Sequence, residues 1–157
     1  MAARERPLAG PLGAPIAVVV CIGIGSIAGA FPPGEWYAAL DKPPGTPPNW
    51  VFGPVWTVLY GLIGFALWRW WRAGGDRVLL TLFATQLLLN LLWSALFFGL
   101  NRVWLAAADL GLLWMVIAAT MHRGWQFDRI ATWLFLPYLA WVSYAFYLNA
   151  GIGLLNE

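Results

Sequence analysis

Four stretches of this chain, residues 11–31, 49–71, 78–100 and 130–155, hold one charged side chain between them, Arg69, close to a stretch end. An α-helix rises about 1.5 Å per residue, so about 20 apolar residues cross the roughly 30 Å hydrocarbon core of a bilayer. Each stretch is therefore long enough to span a membrane as a helix. A fifth, residues 103–122, has a similar length and carries Asp109 as its sole acid. The nearly continuous apolar runs, such as residues 17–24 and 87–92, lack the alternation that a membrane β-strand needs. The chain reads as one all-α membrane domain over residues 1–157, a five-helix bundle whose Pro-rich first connection, residues 32–48, is the only loop long enough to be a lid. Composition agrees: 61% hydrophobic and 10% charged residues leave too little polar surface to coat a soluble globule of 157 residues.

Several functions are excluded at once. A single cysteine, Cys21, and a single histidine, His122, supply no disulfide framework and no ligand set for zinc or an iron–sulfur cluster, so no metal is expected. No basic run suggests nucleic acid. His122 has no acid in register and no G-x-S-x-G elbow accompanies it, so hydrolase chemistry is absent too. Orientation follows from the arginines: Arg4, Arg6, Arg69, Arg72, Arg77, Arg123 and Arg129 collect at one set of span ends, against Lys42 and Arg102 at the other. Because cytoplasmic loops carry the Lys/Arg excess, the N-terminus is expected inside an inner membrane and the first loop outside. Arg4 and Arg6 before an apolar segment ending in Ala28-Gly29-Ala30 imitate a signal peptide, but the segment exceeds the usual apolar region of about 7–15 residues, which favours a retained span. Gly25 and Gly29 form a G-x-x-x-G pair, either a site of close helix approach or simply the glycine common in membrane helices.

Tryptophan is the unusual content, with twelve copies. Trp36, Tyr37, Trp50, Trp68, Trp70, Trp71, Trp104, Trp125 and Trp133 fall near span ends, where an apolar ring with a polar tip anchors at the interface. Trp56, Trp93, Trp114 and Trp141 lie deeper and must pack the bundle or line a pocket. Trp56 and Tyr60 are four apart, and Tyr138, Trp141, Ala145 and Asn149 follow at helical spacing, so each set makes one stripe. Such stripes offer π-faces to a flat ligand, or else to neighbouring helices. Gln86, Asn90 and Ser94 share a face of the third span, where amides bond across helices. Asp109 is a functional candidate by its depth, or is satisfied by snorkelling.

The residues Glu35-Trp36-Tyr37, Lys42-Pro43, Pro47-Pro48, Trp50-Val51-Phe52-Gly53-Pro54-Val55-Trp56 and Pro137-Tyr138-Leu139-Ala140-Trp141, with Gln86, Asn90, Trp93, Asp109 and Asn149 between and after them, occur in the order of one family. The chain closely resembles the TspO/MBR family of translocator and tryptophan-rich sensory proteins, over nearly its whole length. The resemblance implies a five-helix bundle, commonly a homodimer, that binds protoporphyrin IX, haem or another hydrophobic small molecule without a required cofactor, in an inner or an outer membrane. By position it implies ligand contacts from Trp36, Trp50, Trp56, Tyr60, Asn90, Trp93, Tyr138, Trp141, Ala145 and Asn149, with the first loop as lid. Two departures matter. Gly45 stands where many members carry a loop tryptophan, and the tail after Tyr144 and Tyr147 has no basic residue to complete a sterol motif. Three functions follow from the resemblance: a porphyrin-binding sensor or translocator, an enzyme degrading porphyrin with light and oxygen through Trp56 and Trp141, or a small transporter. The last is disfavoured by five spans without inverted repeats.

Overall fold

The computed structural model describes residues 8–157; Arg4 and Arg6, which contribute to the charge bias, lie outside the described residues. The described chain is helical. Its elements are α1 (Gly13–Ile27) followed by a 3₁₀ turn, α2 (Glu35–Ala39), α3 (Asn49–Arg72), α4 (Arg77–Ser94) followed by a π turn, α5 (Val103–Gly124), α6 (Arg129–Leu134) and α7 (Leu136–Leu155). Five segments are long and apolar enough to cross a membrane: Gly13–Ala30, Asn49–Arg72, Arg77–Gly99, Val103–Gly124 and Arg129–Leu155. Helix α3 starts directly after Pro48 and α5 directly after Asn101-Arg102, where the backbone leaves the helical region.

Three local features were not expected. The fifth span is divided at Phe135, where Pro137 at the start of α7 has no N–H to donate to the carbonyl of residue 133 and its ring crowds that turn. The third span ends in a π turn over residues 95–99, in which the Leu100 amide reaches back to Ala95 O at 2.8 Å. The first loop contains α2 and is fastened along α7. Asn156 bonds to both the amide and the carbonyl of Asp41 at 2.9 Å, Tyr147 donates to Pro44 O at 3.0 Å, and Tyr144 donates to Gly45 O. Gly45 takes φ +87°, a conformation glycine adopts without strain, which accounts for a glycine in place of a bulky loop residue.

Two carboxylates tie the opposite end. Asp76 caps α4 through the Leu79 amide at 2.9 Å and pairs with Arg123 at the end of α5. Asp128 caps α6 through the Ala131 amide at 2.9 Å and pairs with Arg69 of α3 at 2.8 Å. The Arg123 and Leu79 bonds hold the Asp76 carboxyl below its ordinary range. Burial pushes Asp128 up, but the Ala131 amide and Arg69 outweigh it and hold that carboxyl low as well.

Helix α5 packs between α4 and α7, α3 lies against α6, and α1 lies along α3 with no comparable contact to another long helix. The α1–α3 crossing is set by Gly64: a Cβ there would stand 2.6 Å from Ala17 O and 2.7 Å from Val18 Cα. Of the Gly25/Gly29 pair, Gly25 meets the Tyr60 ring whereas Gly29 meets nothing, so the pair is not itself a helix crossing. Trp70, expected at the interface, is instead fully buried against Phe135 and Gly124. Trp114 is neither core nor pocket: it is 41% exposed and donates to Ser143 Oγ at 2.9 Å.

Candidate functional site: a cavity behind the first helix

Because α1 touches α3 but stands away from α4, a cavity of about 440 Å³ opens between the three. Small residues make the wall on the α1 side: Gly25 and Ser26 of α1 and Gly29 of the 3₁₀ turn that extends it, with Ile22. Phe31, Pro32 and Pro33 of the first loop close one end, and the Phe31 ring rests on Gly99, where a Cβ would fall within 2.9 Å of it. The opposite walls are Phe52, Trp56, Thr57 and Tyr60 of α3, and Asn90, Trp93 and Ser94 of α4 with Phe98 of the π turn that follows it. No Asp, Glu, Lys, Arg or His is among the described lining residues. The volume is that of a small-molecule site, and the walls are aromatic with a few polar atoms.

The aromatic side chains support one another. Trp56 sits at the centre, with ring centroids 5.8 Å from Tyr60, 6.5 Å from Trp93, 6.2 Å from Tyr138 and 6.4 Å from Trp141, the last two edge-on. The Tyr60 hydroxyl donates to Asn90 Oδ1 at 2.9 Å, Asn90 Nδ2 donates to the Tyr138 hydroxyl at 3.0 Å, and that hydroxyl donates to Gln86 Oε1 at 2.8 Å. Trp93 Nε1 donates to Asn149 Oδ1 at 3.1 Å, and Asn149 Nδ2 to Val103 O at 2.8 Å. These bonds stitch α3, α4, α5 and α7 together in apolar surroundings, where each contributes about 0.6–1.7 kcal/mol. Gln86 and Asn90 thus act first as helix ties. Asp109 does not snorkel; it is 7% exposed, inside the bundle.

The sequence model of the TspO/MBR family matches residues 17–155. The chain belongs to the TspO/MBR family. It is 40% identical over 148 residues to the tryptophan-rich protein TspO of Chlorobaculum tepidum, covering 90% of this chain and 94% of the relative. It is 43% identical to the tryptophan-rich protein TspO of Archaeoglobus fulgidus, covering 92% and 96%. With the translocator protein of Bos taurus it shares 40% identity over 120 residues, 73% of this chain and 71% of the relative. The protein is therefore an integral membrane member of the TspO/MBR sensor and translocator proteins.

Of the ten ligand positions that the family resemblance implies, the structure brings four to the cavity: Trp56, Tyr60, Asn90 and Trp93. Tyr138 and Trp141 stand one layer behind, bracing Trp56. Ala145 and Asn149 border a void of about 20 Å³ beyond Trp93. Trp36 packs edge-on against Phe97, 5.5 Å away, and Trp50 is 75% exposed, so neither reaches the cavity in this conformation. The α1 wall was missed by sequence reasoning, although Ile22, Gly25, Ser26 and Gly29 follow helical spacing. Their contribution is space rather than a side chain.

Proposed function

We propose that this TspO/MBR protein is a sensor or translocator that binds a tetrapyrrole, protoporphyrin IX or haem, in the cavity behind α1. The observation that carries this reading is an uncharged cavity with the Trp56, Tyr60 and Trp93 rings on one side and a glycine-rich helix on the other. A flat apolar macrocycle matches such walls, and its carboxylate edge belongs at the loop end, since no cation lines the interior. Among the described lining residues there is no His, Cys or Met, and the one other group able to ligate haem iron, the Tyr60 hydroxyl, is engaged with Asn90, which favours protoporphyrin IX. The protein needs no cofactor for this. By charge bias the N-terminus is cytoplasmic in an inner membrane, and a homodimer is the working assembly.

Titrating detergent-purified protein with protoporphyrin IX in the dark, followed by tryptophan quenching and the Soret band, tests the reading. Saturable binding that weakens in Trp56→Leu and persists in Trp50→Leu supports it; unsaturable quenching equal in all three proteins refutes it. The edge-on Trp56–Trp141 contact favours a second reading, photo-oxidative porphyrin degradation through indole radicals. In that case illumination with dioxygen converts bound porphyrin to product, and Trp56→Phe/Trp141→Phe abolishes conversion while retaining weakened binding.

A further inference from the structure

Two of the membrane spans start on the same dipeptide. Asp76-Arg77 opens α4 and Asp128-Arg129 opens α6, both at the end opposite the first loop. Each aspartate is spent inside the protein: it caps its helix and pairs with an arginine of another helix, Arg123 for Asp76 and Arg69 for Asp128. The arginine that follows is exposed, beside an exposed aliphatic side chain, Val78 or Ile130. Together with Arg72, these two arginines have no carboxylate partner among the described residues, so the fold leaves a surplus of positive charge at this end. The two junctions differ in one respect. Arg77 has no aromatic partner among the described residues, whereas the Arg129 guanidinium stands 5.2 Å over the Trp125 ring, and Trp133, one turn further along α6, meets that same ring edge-on at 6.1 Å. Trp125 and Trp133 are 42% and 59% exposed, and neither indole N–H has a hydrogen-bond partner among the described residues.

We propose that Arg129, Trp125 and Trp133 form a headgroup site for one anionic phospholipid of the surrounding bilayer. A guanidinium donates in a fork to the two free oxygens of a phosphodiester, and stacking on Trp125 orients that fork before the lipid arrives. The indole N–H groups of Trp125 and Trp133 are free to donate to the ester carbonyls, which lie at the interfacial depth that tryptophan favours. Ile130 and the Trp133 ring offer an apolar side to the upper acyl chain. No acid competes for Arg129, because its neighbour Asp128 is held by Arg69 at 2.8 Å and by the Ala131 amide. The surplus charge selects the headgroup: it repels the ammonium of a zwitterionic lipid and attracts a net anion by about 5-fold for each basic residue near the surface. None of the three residues lines the cavity, so the site does not rest on the tetrapyrrole reading.

Native mass spectrometry of the detergent-solubilised protein, titrated with phosphatidylglycerol or with phosphatidylcholine, counts the bound lipids of each kind. One phosphatidylglycerol is expected to bind about 5-fold more tightly than phosphatidylcholine. Arg129→Gln should abolish that preference, and Trp125→Leu, which keeps every charge, should weaken it by about 2- to 5-fold. Arg77→Gln removes the same charge at the junction without an aromatic partner and should leave the preference in place. Equal losses in Arg77→Gln and Arg129→Gln mean that a diffuse surface potential acts instead of a site and overturn the proposal, as does the absence of any preference in the unmutated protein. Excess glycerol 1-phosphate separates lipid from soluble anion: retained phosphatidylglycerol supports a bilayer ligand, and displacement overturns it. Thermal unfolding checks that each variant keeps the fold, and Trp133→Leu, at the more exposed indole, replaces Trp125→Leu if that variant unfolds.

Discussion

Replacing Gly64 by alanine tests the origin of the cavity itself. The added Cβ would lie 2.6 Å from Ala17 O and 2.7 Å from Val18 Cα, roughly 0.8 Å short of ordinary van der Waals contact with the carbonyl. Both neighbours are backbone atoms of α1, so no side chain can swing aside; the helix must move. Overpacking of this kind costs about 1–3 kcal/mol. Because α1 supplies one wall of the cavity through Ile22, Gly25, Ser26 and Gly29, its displacement should also weaken ligand binding. The control is Gly61→Ala on the same helix, where a Cβ meets nothing within 4 Å. Thermal unfolding in detergent and protoporphyrin titration of both variants read the two effects. Equal stability and equal affinity for Gly64→Ala and Gly61→Ala would refute the argument that this crossing sets the wall.

Three further outcomes are expected. Asn90→Leu deletes the bonds from Tyr60 and to Tyr138 and should cost about 1–3 kcal/mol in detergent unfolding, with weaker porphyrin binding. Asp128 has a folded-state pKa below its unfolded value, so its contribution is complete above the ordinary carboxylate range near about pH 4 and is lost as pH falls through the lowered folded value. Asp128→Ala should therefore lower stability by about 1 kcal/mol at neutral pH and flatten the acid limb of a stability-versus-pH curve, and an unchanged limb would count against the cap and ion pair. Gly45→Ala, at φ +87°, should strain the loop by about 1–2 kcal/mol and speed amide exchange across residues 41–47, leaving exchange in α3 unchanged.

The all-helical fold with five spanning helices was legible because apolar length is a one-dimensional property. The break at Phe135 was not, since Pro137 sits in a continuous apolar run and hydropathy does not register a missing N–H. Trp70 shows a similar limit. Its position near a span end suits an anchor, and only the tertiary approach of Gly124 and Phe135 makes it core. For the site, the four-residue spacing that puts Trp56 and Tyr60 in one stripe is also the spacing at which α3 lines the cavity, whereas of the Gln86–Asn90–Ser94 face only Asn90 and Ser94 reach it and Gln86 is buried as a helix tie. Trp36 and Trp50 were drawn from resemblance: Trp36 lies on α2 in the first loop, whose path back onto α7 no periodicity encodes, whereas Trp50 lies off the face of α3, Asn49, Phe52, Gly53, Trp56 and Tyr60, that lines the cavity.

Among the described residues α1 packs extensively against one long helix, α3, and another side of it faces the cavity. Any molecule lodged there touches α1 on one flank and α3 and α4 on the other, becoming the neighbour that the first helix lacks. Occupancy would then register as mechanical attachment: a filled site clamps the N-terminal helix to the bundle, and an empty one leaves it hinged along the Gly64 seam. A receptor built this way can report its ligand through the mobility of one wall, with the remaining four spans held rigid by their hydrogen bonds.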